Sequence, residues 1–314
     1  MLTRKRVILA KIEANEGTPE TLGVSNNPVL MKDVRVSPRV DMYERGVIIN
    51  TLSKLPSIPG GRLVTVSFST EIKGRGQAYS SSVFPAITDY LRACGFSATF
   101  SGSSGQEKYT FTPLSGGIPS LTIGIYEDGI VHRIAGARGT VSFTGTIGEP
   151  VIASFEFTGV WIGTQDASLP SPTLDLGNPP ICMGSVISID GSFSPVVSKF
   201  SLDMANTLEP RRDISAAQGY RSVRITGRSP RGQIDPEGVL VSVFDFYGKW
   251  RGGESFSLNL QVGSTQYNRV KFDIPKARIT EITEDERNGI LVYTVNFDMT
   301  MVQQGDDEIT IIFD

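Results

Sequence analysis

Apolar side chains alternate with polar ones through most of this chain, in short runs closed by Gly, Pro, Asn or Asp. A period of two places one face of a strand in a core and the other in water. It predicts strands at Leu63–Thr70, Tyr109–Thr112, Leu121–Tyr126, Thr140–Thr144, Val151–Phe157, Ser185–Asp190, Val223–Thr226, Phe256–Gln261, Val270–Ile274, Leu291–Met299 and Glu308–Phe313. Asp128-Gly129 and Asn288-Gly289 are dipeptides suited to both centres of a type I′ hairpin. The chain therefore reads as mainly β and mostly antiparallel. Two stretches change period. Phe84, Ile87, Leu91 and Cys94 share a helical stripe after Ser80-Ser81-Ser82, with Gly95 to close it. Asp235-Pro236 opens a second expected helix, with Leu240, Val243, Tyr247 and Trp250 on its inner face and Gly252-Gly253 as its stop.

The order of these elements repeats. Gly61-Arg62-Leu63-Val64 opens a strand ahead of the first helix, and Tyr220-Arg221-Ser222-Val223 opens one ahead of the second. Phe84 matches Phe244, Tyr90 matches Trp250, and Ala137-Arg138-Gly139-Thr140 parallels Ala277-Arg278-Ile279-Thr280. Phe155-Glu156-Phe157 and Val295-Asn296-Phe297 close the two copies, and the first copy has room for one extra hairpin. This implies two tandem β-sandwich or barrel domains, each flanked by one helix. The expected division is an N-terminal arm at 1–30, a first domain at 31–162, a linker at 163–180 and a second domain at 181–314. Four prolines in the linker make it stiff.

Composition narrows the function classes. The formal net charge of −3 and the pI of about 5.4 disfavour tight nucleic-acid binding, which calls for a basic patch. Passing DNA without holding it stays compatible with that balance. Cys94 and Cys182 are too sparse for a secreted disulfide framework and read as free thiols. The apolar run Val7-Ile8-Leu9-Ala10 is too short for a signal peptide, and no stretch has the length of a membrane span. A soluble protein without membrane insertion is expected.

A search for chemistry returns little. The single histidine, His132, has no local nucleophile or orienting acid, so a structural or surface role fits it better than a triad. No Cys/His cluster has metal-ligand spacing. Asp306-Asp307-Glu308 could hold a hard cation, but an acidic turn before a strand accounts for it more simply; Glu284-Asp285-Glu286 reads the same way. Gly74-Arg75-Gly76 and Gly248-Lys249 lack the remaining residues of phosphate-binding loops. No enzyme, no cofactor and no metal are expected.

An ordered series of segments carries a resemblance. It runs Tyr90-Leu-Arg-Ala-Cys-Gly-Phe96, Tyr109-Thr-Phe-Thr-Pro113, Ser120-Leu-Thr-Ile123, Tyr126-Glu-Asp-Gly129, His132-Arg-Ile-Ala-Gly-Ala-Arg-Gly-Thr-Val-Ser-Phe143 and Phe155-Glu-Phe-Thr-Gly159. Ile234-Asp-Pro-Glu237, Phe246-Tyr-Gly-Lys-Trp250, Asn268-Arg269 and Asp306–Phe313 continue it in the second half. The series resembles the tail tube proteins, or major tail proteins, of long-tailed phages with non-contractile tails (siphophages). The resemblance implies a structural virion protein, assembled in the bacterial host cytoplasm, whose rings stack into a DNA-conducting tube. Two-domain members form trimeric rings with pseudo-sixfold symmetry. It further implies partners: further copies of the chain, the tape measure protein, the tail terminator and distal tail proteins, and DNA in transit. Another ring-forming tail, baseplate or tube-terminating protein, a carbohydrate-binding β-sandwich, and a hydrolase with a carboxylate pair are the alternatives.

Within that frame, intersubunit contacts are expected in the arm Leu2–Leu30, the loop Asp41–Gly61 and its counterpart Asp203–Gly219. The candidate residues are Val7, Ile8, Leu9, Val47, Ile48, Ile49, Leu52, Arg211 and Arg212. The arginine pair is either a plain loop feature or the counterpart of an acidic surface. An acidic lumen is expected, with the inward carboxylates set by strand register.

Overall fold

The computed structural model describes residues 2, 5–103 and 105–314. Its first part contains β1 (Arg6–Ile12), β2 (Lys32–Tyr43), β3 (Ile58–Glu71), helix α1 (Thr88–Ala93), β4 (Phe96–Ser101), β5 (Lys108–Pro113), β6 (Leu121–Glu127), β7 (Ile130–Thr146) and β8 (Ile152–Asp166). Its second part contains β9 (Val186–Ile189), β10 (Val197–Asp203), β11 (Asn206–Arg212), β12 (Tyr220–Arg228), β13 (Arg231–Pro236), helix α2 (Phe246–Gly252), β14 (Ser255–Val262), β15 (Val270–Arg287), β16 (Ile290–Met299) and β17 (Thr310–Phe313). The fold is mainly β, and each strand expected from alternation coincides with one of these elements. None of the described helices is long and apolar enough to cross a membrane.

The two parts share one strand order. In the first, hydrogen-bonded neighbours run β1-β6-β7-β8-β3-β2; in the second they run β9-β14-β15-β16-β13-β10. A helix follows the β3 and β13 strands in turn, and the β4–β5 hairpin is the extra length of the first copy. Register makes the equivalence residue by residue. Leu121 lies opposite Ala137, and Phe256 opposite Ala277, each beside a one-residue slip in the ladder. Next, Arg138 pairs with Thr158, and Arg278 with Asp298. Thr158 then pairs with Thr65, and Asp298 with Arg231. Finally Val40 pairs with Arg62, and Asn206 with Arg228. Arg62 therefore corresponds to Arg228, which corrects the expected match of Gly61–Val64 with Tyr220–Val223. The second copy's strand runs on through β12 into β13 before its helix, and this moves the correspondence along the chain.

The second helix also needs correction. Asp235-Pro236 ends strand β13 and starts no helix. The buried Asp235 carboxylate accepts hydrogen bonds from the backbone N–H of Ser198 at 2.9 Å and of Lys199 at 2.8 Å. Its capping potential is thus spent on the neighbouring strand. Leu240 and Val243 are exposed, and α2 begins only at Phe246, where the Asp245 side chain accepts from Gly248 N–H and Gly253 closes the helix at φ 63°. The first helix is shorter than its stripe suggested, because Ser80 Oγ is engaged in a local turn with Val83 N–H at 3.1 Å.

The copies are fused. Strand β10 of the second pairs with the end of β7 of the first, and β17 joins β15 to β5. Residues 167–180 lack regular structure, and Asp175 is held near Lys73 and Arg75, both at 3.4 Å. One large apolar core runs through both copies, with Phe143 and Phe272 rings 5.2 Å apart across the division. In the first copy Phe68, Phe155 and Phe157 stack under the edge of Tyr90 from α1.

Candidate assembly surfaces

Eight strands, β2-β3-β8-β7-β10-β13-β16-β15, form a continuous run through the sheet. One face of this run is core: Val66, Phe68, Val141, Phe143, Phe155, Phe157, Leu202, Ile234, Val295 and Phe297 are all buried. The other is a polar face rich in hydroxyls. Thr65 and Thr158 Oγ1 atoms lie 3.4 Å apart there, and Ser69 and Ser154 Oγ atoms 3.0 Å. Carboxylates on this face include Glu71, paired with Lys32 at 2.6 Å, and Asp203, paired with Arg231 at 3.0 Å. Glu156 and Asp298 are exposed on it. Alternation along the strands therefore resolves which carboxylates share the face, and several of them are neutralised by neighbouring cations.

Each end of the run leaves an edge without a ladder. Strand β2 pairs only with β3. The β14 ladder covers β15 only over Val270–Arg278; beyond it Trp250 Nε1–H donates to the Thr280 carbonyl at 3.1 Å, and past that point one edge of the strand has no ladder and is bare. Unpaired edges are templates for another strand. Their charges are opposite in character. Strand β2 carries Lys32, Arg35 and Arg39; Lys32 pairs with Glu71, and Arg39 with Asp41 at 3.0 Å. Arg35 is exposed and has no ion-pair partner among the described residues. The bare end of β15 carries Glu281, Glu284, Asp285 and Glu286. Glu281 accepts from Asn296 Nδ2 at 3.0 Å, and Glu284 from Tyr247 Oη at 2.7 Å, a bond that pushes the Tyr247 pKa up to about 12. Asp285 receives only the backbone N–H of Glu286, at 2.8 Å. Arg287 is occupied by Asp235 and Glu237, at 3.0 and 3.2 Å.

Between β2 and β3 lies a long tip, residues 44–57, with no regular structure. Val47 and Ile49 are exposed on it, and Ile48 and Leu52 are fully so, at 100% and 108%. These four expected contact residues are thus all exposed on one tip. The equivalent tip between β11 and β12 is tight, closed by Asp213 N–H on the Gly219 carbonyl at 3.1 Å. Arg211 and Arg212 lie not on an open loop but in β11, opposite Ser222 and Tyr220. Arg211 reaches Glu16 of its own chain at 3.4 Å.

The N-terminal segment is also placed differently from expectation. Val7, Ile8 and Leu9 belong to β1, laddered to β6, and Ile8 and Leu9 are buried in this chain's own core. Ile8 and Leu9 are therefore closed to another chain in this fold, while Val7 is half-buried, and β1 supplies the first strand of the first copy. Beyond it two carboxylates fasten the segment down. Glu13 accepts from Ser120 Oγ at 2.6 Å and from Gly136 N–H at 2.7 Å. Glu16 accepts from Ser222 Oγ at 2.6 Å and meets Arg138 at 2.9 Å and Arg224 at 3.3 Å. Partial burial acts to raise the Glu16 pKa, but the Ser222 and Arg138 hydrogen bonds and the Arg138 charge outweigh it, leaving about 2. Three basic residues, Arg4, Lys5 and Arg6, precede or open β1; Arg4 lies outside the described residues, and Arg6 pairs with Glu127 at 3.0 Å. Neither Glu13 nor Glu16 stands out in the sequence, since their side-chain partners lie more than 100 residues away.

The groups singled out for chemistry have local partners. His132 Nδ1 lies 2.8 Å from Thr164 Oγ1 on the adjacent strand. Asp306 accepts from Ser115 N–H at 3.0 Å and from Arg228 at 2.7 Å, while Asp307 accepts from Val302 N–H at 2.9 Å. Those contacts account for the acidic turn. No cluster of metal-ligating side chains occurs among the described residues. Cys94 and Cys182 are free thiols. Compared with known sequences, residues 3–299 match the profile of a family described as phage tail tube protein. No curated protein matches the chain significantly.

Proposed function

The chain belongs to the phage tail tube protein family, a structural component of the virion tail, and we propose that it polymerises as stacked trimeric rings into the tube of a phage with a long non-contractile tail. The observation that carries this reading is the eight-stranded run with a bare edge at either end. Its halves, β2-β3-β8-β7 and β10-β13-β16-β15, are equivalent in register, so three chains supply six equivalent sectors. A head-to-tail contact that closes makes a ring and removes every edge. A second head-to-tail contact along the axis does not close and makes a filament. The exposed apolar tip Val47–Leu52 is the element suited to that stacking contact.

In such a ring the polar face lines the lumen. Its hydroxyls and locally neutralised charges offer DNA no basic track, so the duplex slides without counterion-driven binding. The tape measure protein would occupy the same lumen before ejection, and terminator and distal tail proteins would cap the stacked rings. Assembly takes place in the bacterial host cytoplasm. No catalytic step is assigned to the chain.

Negative-stain imaging of the purified protein tests this. Long uniform tubes with threefold or pseudo-sixfold end views are the expected result. Monomers alone at high concentration would overturn the polymer reading, and single rings that never stack would identify a tube terminator instead.

A further inference from the structure

The chain contains, already folded, a seam between two copies of its own repeat. There β10 lies antiparallel to the end of β7, with Ser201 opposite Thr144, Leu202 opposite Phe143 and Asp203 opposite Ser142. Phe200 falls opposite Gly145, where a Cβ would come within 2.3 Å of the Phe200 ring. The equivalences derived above transpose this seam to the bare edges. Strand β10 maps onto β2, so Ser201 becomes Arg35 and Asp203 becomes Ser37. Strand β7 maps onto β15, with one adjustment. The β15 ladder slips by one residue between Ile279 and Glu281, so Val141, opposite Phe155, corresponds to Ile282, opposite Val295. Thr144 therefore becomes Asp285, and Ser142 becomes Thr283.

We propose that β2 of one chain adds to the bare end of β15 in a second copy, antiparallel, with Arg35 directly opposite Asp285 and Ser37 opposite Thr283. This rests on the ring reading and specifies its register. Charge complementarity supports the assignment independently of the transposition. Arg35 is the one β2 cation left without a carboxylate among the described residues, and Asp285 is an acid of β15 with only a backbone donor. Both side chains are exposed. Both also fall on the polar face, because Ser201 and Thr144 do so at the internal seam. Opposite charges directly across an antiparallel pair are stabilising, and like charges there are destabilising. A slip of one residue would turn Arg35 toward the wrong face and set it against Glu284, whose carboxylate already holds Tyr247.

Cysteine pairs in the full-length protein read the register. Arg35→Cys with Asp285→Cys, oxidised in assembled tubes, is expected to give covalent dimers and trimers on a non-reducing gel, with the ladder ending at three. Either single variant should give none, since Cys94 is buried and Cys182 half-buried. Preferential cross-linking of Arg35→Cys with Glu284→Cys or with Thr283→Cys, in tubes of normal appearance, would overturn the register while leaving the ring reading intact. Failure of the unsubstituted protein to form any ring would overturn the ring reading itself. Charge reversal supplies a second readout. Arg35→Glu should raise the protein concentration needed for tubes about tenfold, and adding Asp285→Arg should restore it. Both variants should keep the parent thermal melt; folded double mutants that remain unable to assemble would count against the pair.

Discussion

The hairpins β2–β3 and β10/β11–β12/β13 have one register and two destinies. In the second, the outer edge is spent on β7, the tip is a tight turn, and Glu16 ties β12 to Arg138 of the first copy. In the first, the outer edge is bare, Arg35 lacks an acid among the described residues, and the tip extends as exposed apolar chain. The backbone pairing is the same, so the difference resides in side chains. Where the internal seam sets Phe200 into the space left by Gly145, the matching bare positions hold Val34 and Glu286. An aromatic ring over a glycine folds once, within the chain. Charged edges stay soluble until a complementary edge arrives.

The largest expected effect separates the two cores. Phe155 stacks with Phe68 and Phe157, whereas its equivalent, Val295, offers only a small aliphatic side chain. Phe155→Ala should cost about 3–5 kcal/mol in denaturant unfolding, and Val295→Ala about 2 kcal/mol. Equal losses would show that the aromatic stack is not what distinguishes the first copy. Next comes the seam itself. Gly145→Val forces a side chain into the Phe200 ring and should cost about 1–3 kcal/mol. Glu286→Val, at the equivalent bare position, should leave the unassembled chain within about 0.5 kcal/mol of its parent. A comparable loss at Glu286 would mean that the edge of β15 is already covered within the chain.

Much of this arrangement is legible in the sequence, and the failures share a cause. Alternation exposed β3, β8, β14 and β16 because one face of each is buried and the other solvated. It missed β2 because no position in that strand is fully buried: Lys32, Asp33, Arg35, Ser37 and Arg39 are exposed, and Val34, Val36 and Val40 are only half-buried. It misread Asp235-Pro236 because a capping aspartate is indistinguishable, locally, from one that accepts backbone donors of a neighbouring strand. Val7, Ile8 and Leu9 are visible as an apolar run, but only the fold reveals that Ile8 and Leu9 are core. The duplication was visible, and its β4–β5 insertion with it. Its residue register was visible in part: Arg138 does match Arg278 and Phe155 does match Val295, but the slip at Ile279/Glu281 and the match of Arg62 with Arg228 leave no mark in the sequence.

A smaller effect tests what fastens the second hairpin. The Glu16 pKa is depressed to about 2 from 4.5, so its contribution is fully present above the unfolded value and is lost as pH falls through about 2. Glu16→Gln should lower stability by on the order of 1 kcal/mol at neutral pH, after discounting for solvent screening. The gap between variant and parent should then narrow from pH 4.5 toward pH 2 in thermal melts. A gap that stays constant through that window would assign the loss to packing and not to the carboxylate's charge.

The smallest expected effect on the isolated chain falls at the first tip. Ile48 and Leu52 are 100% and 108% exposed and Val47 and Ile49 are exposed, so replacing all four with Ser removes little buried area from the monomer. Its unfolding free energy should stay within about 0.5 kcal/mol of the parent. The same change should abolish elongation, leaving single rings in negative stain, because stacking would lose its apolar contact. Ile214→Ser supplies the control: it is as exposed, at 104%, but sits on the tight second tip, and tubes should keep their length. If instead Ile214→Ser shortened the tubes and the quadruple variant did not, the stacking contact would belong to the second hairpin, and the division of labour between the two would be reversed.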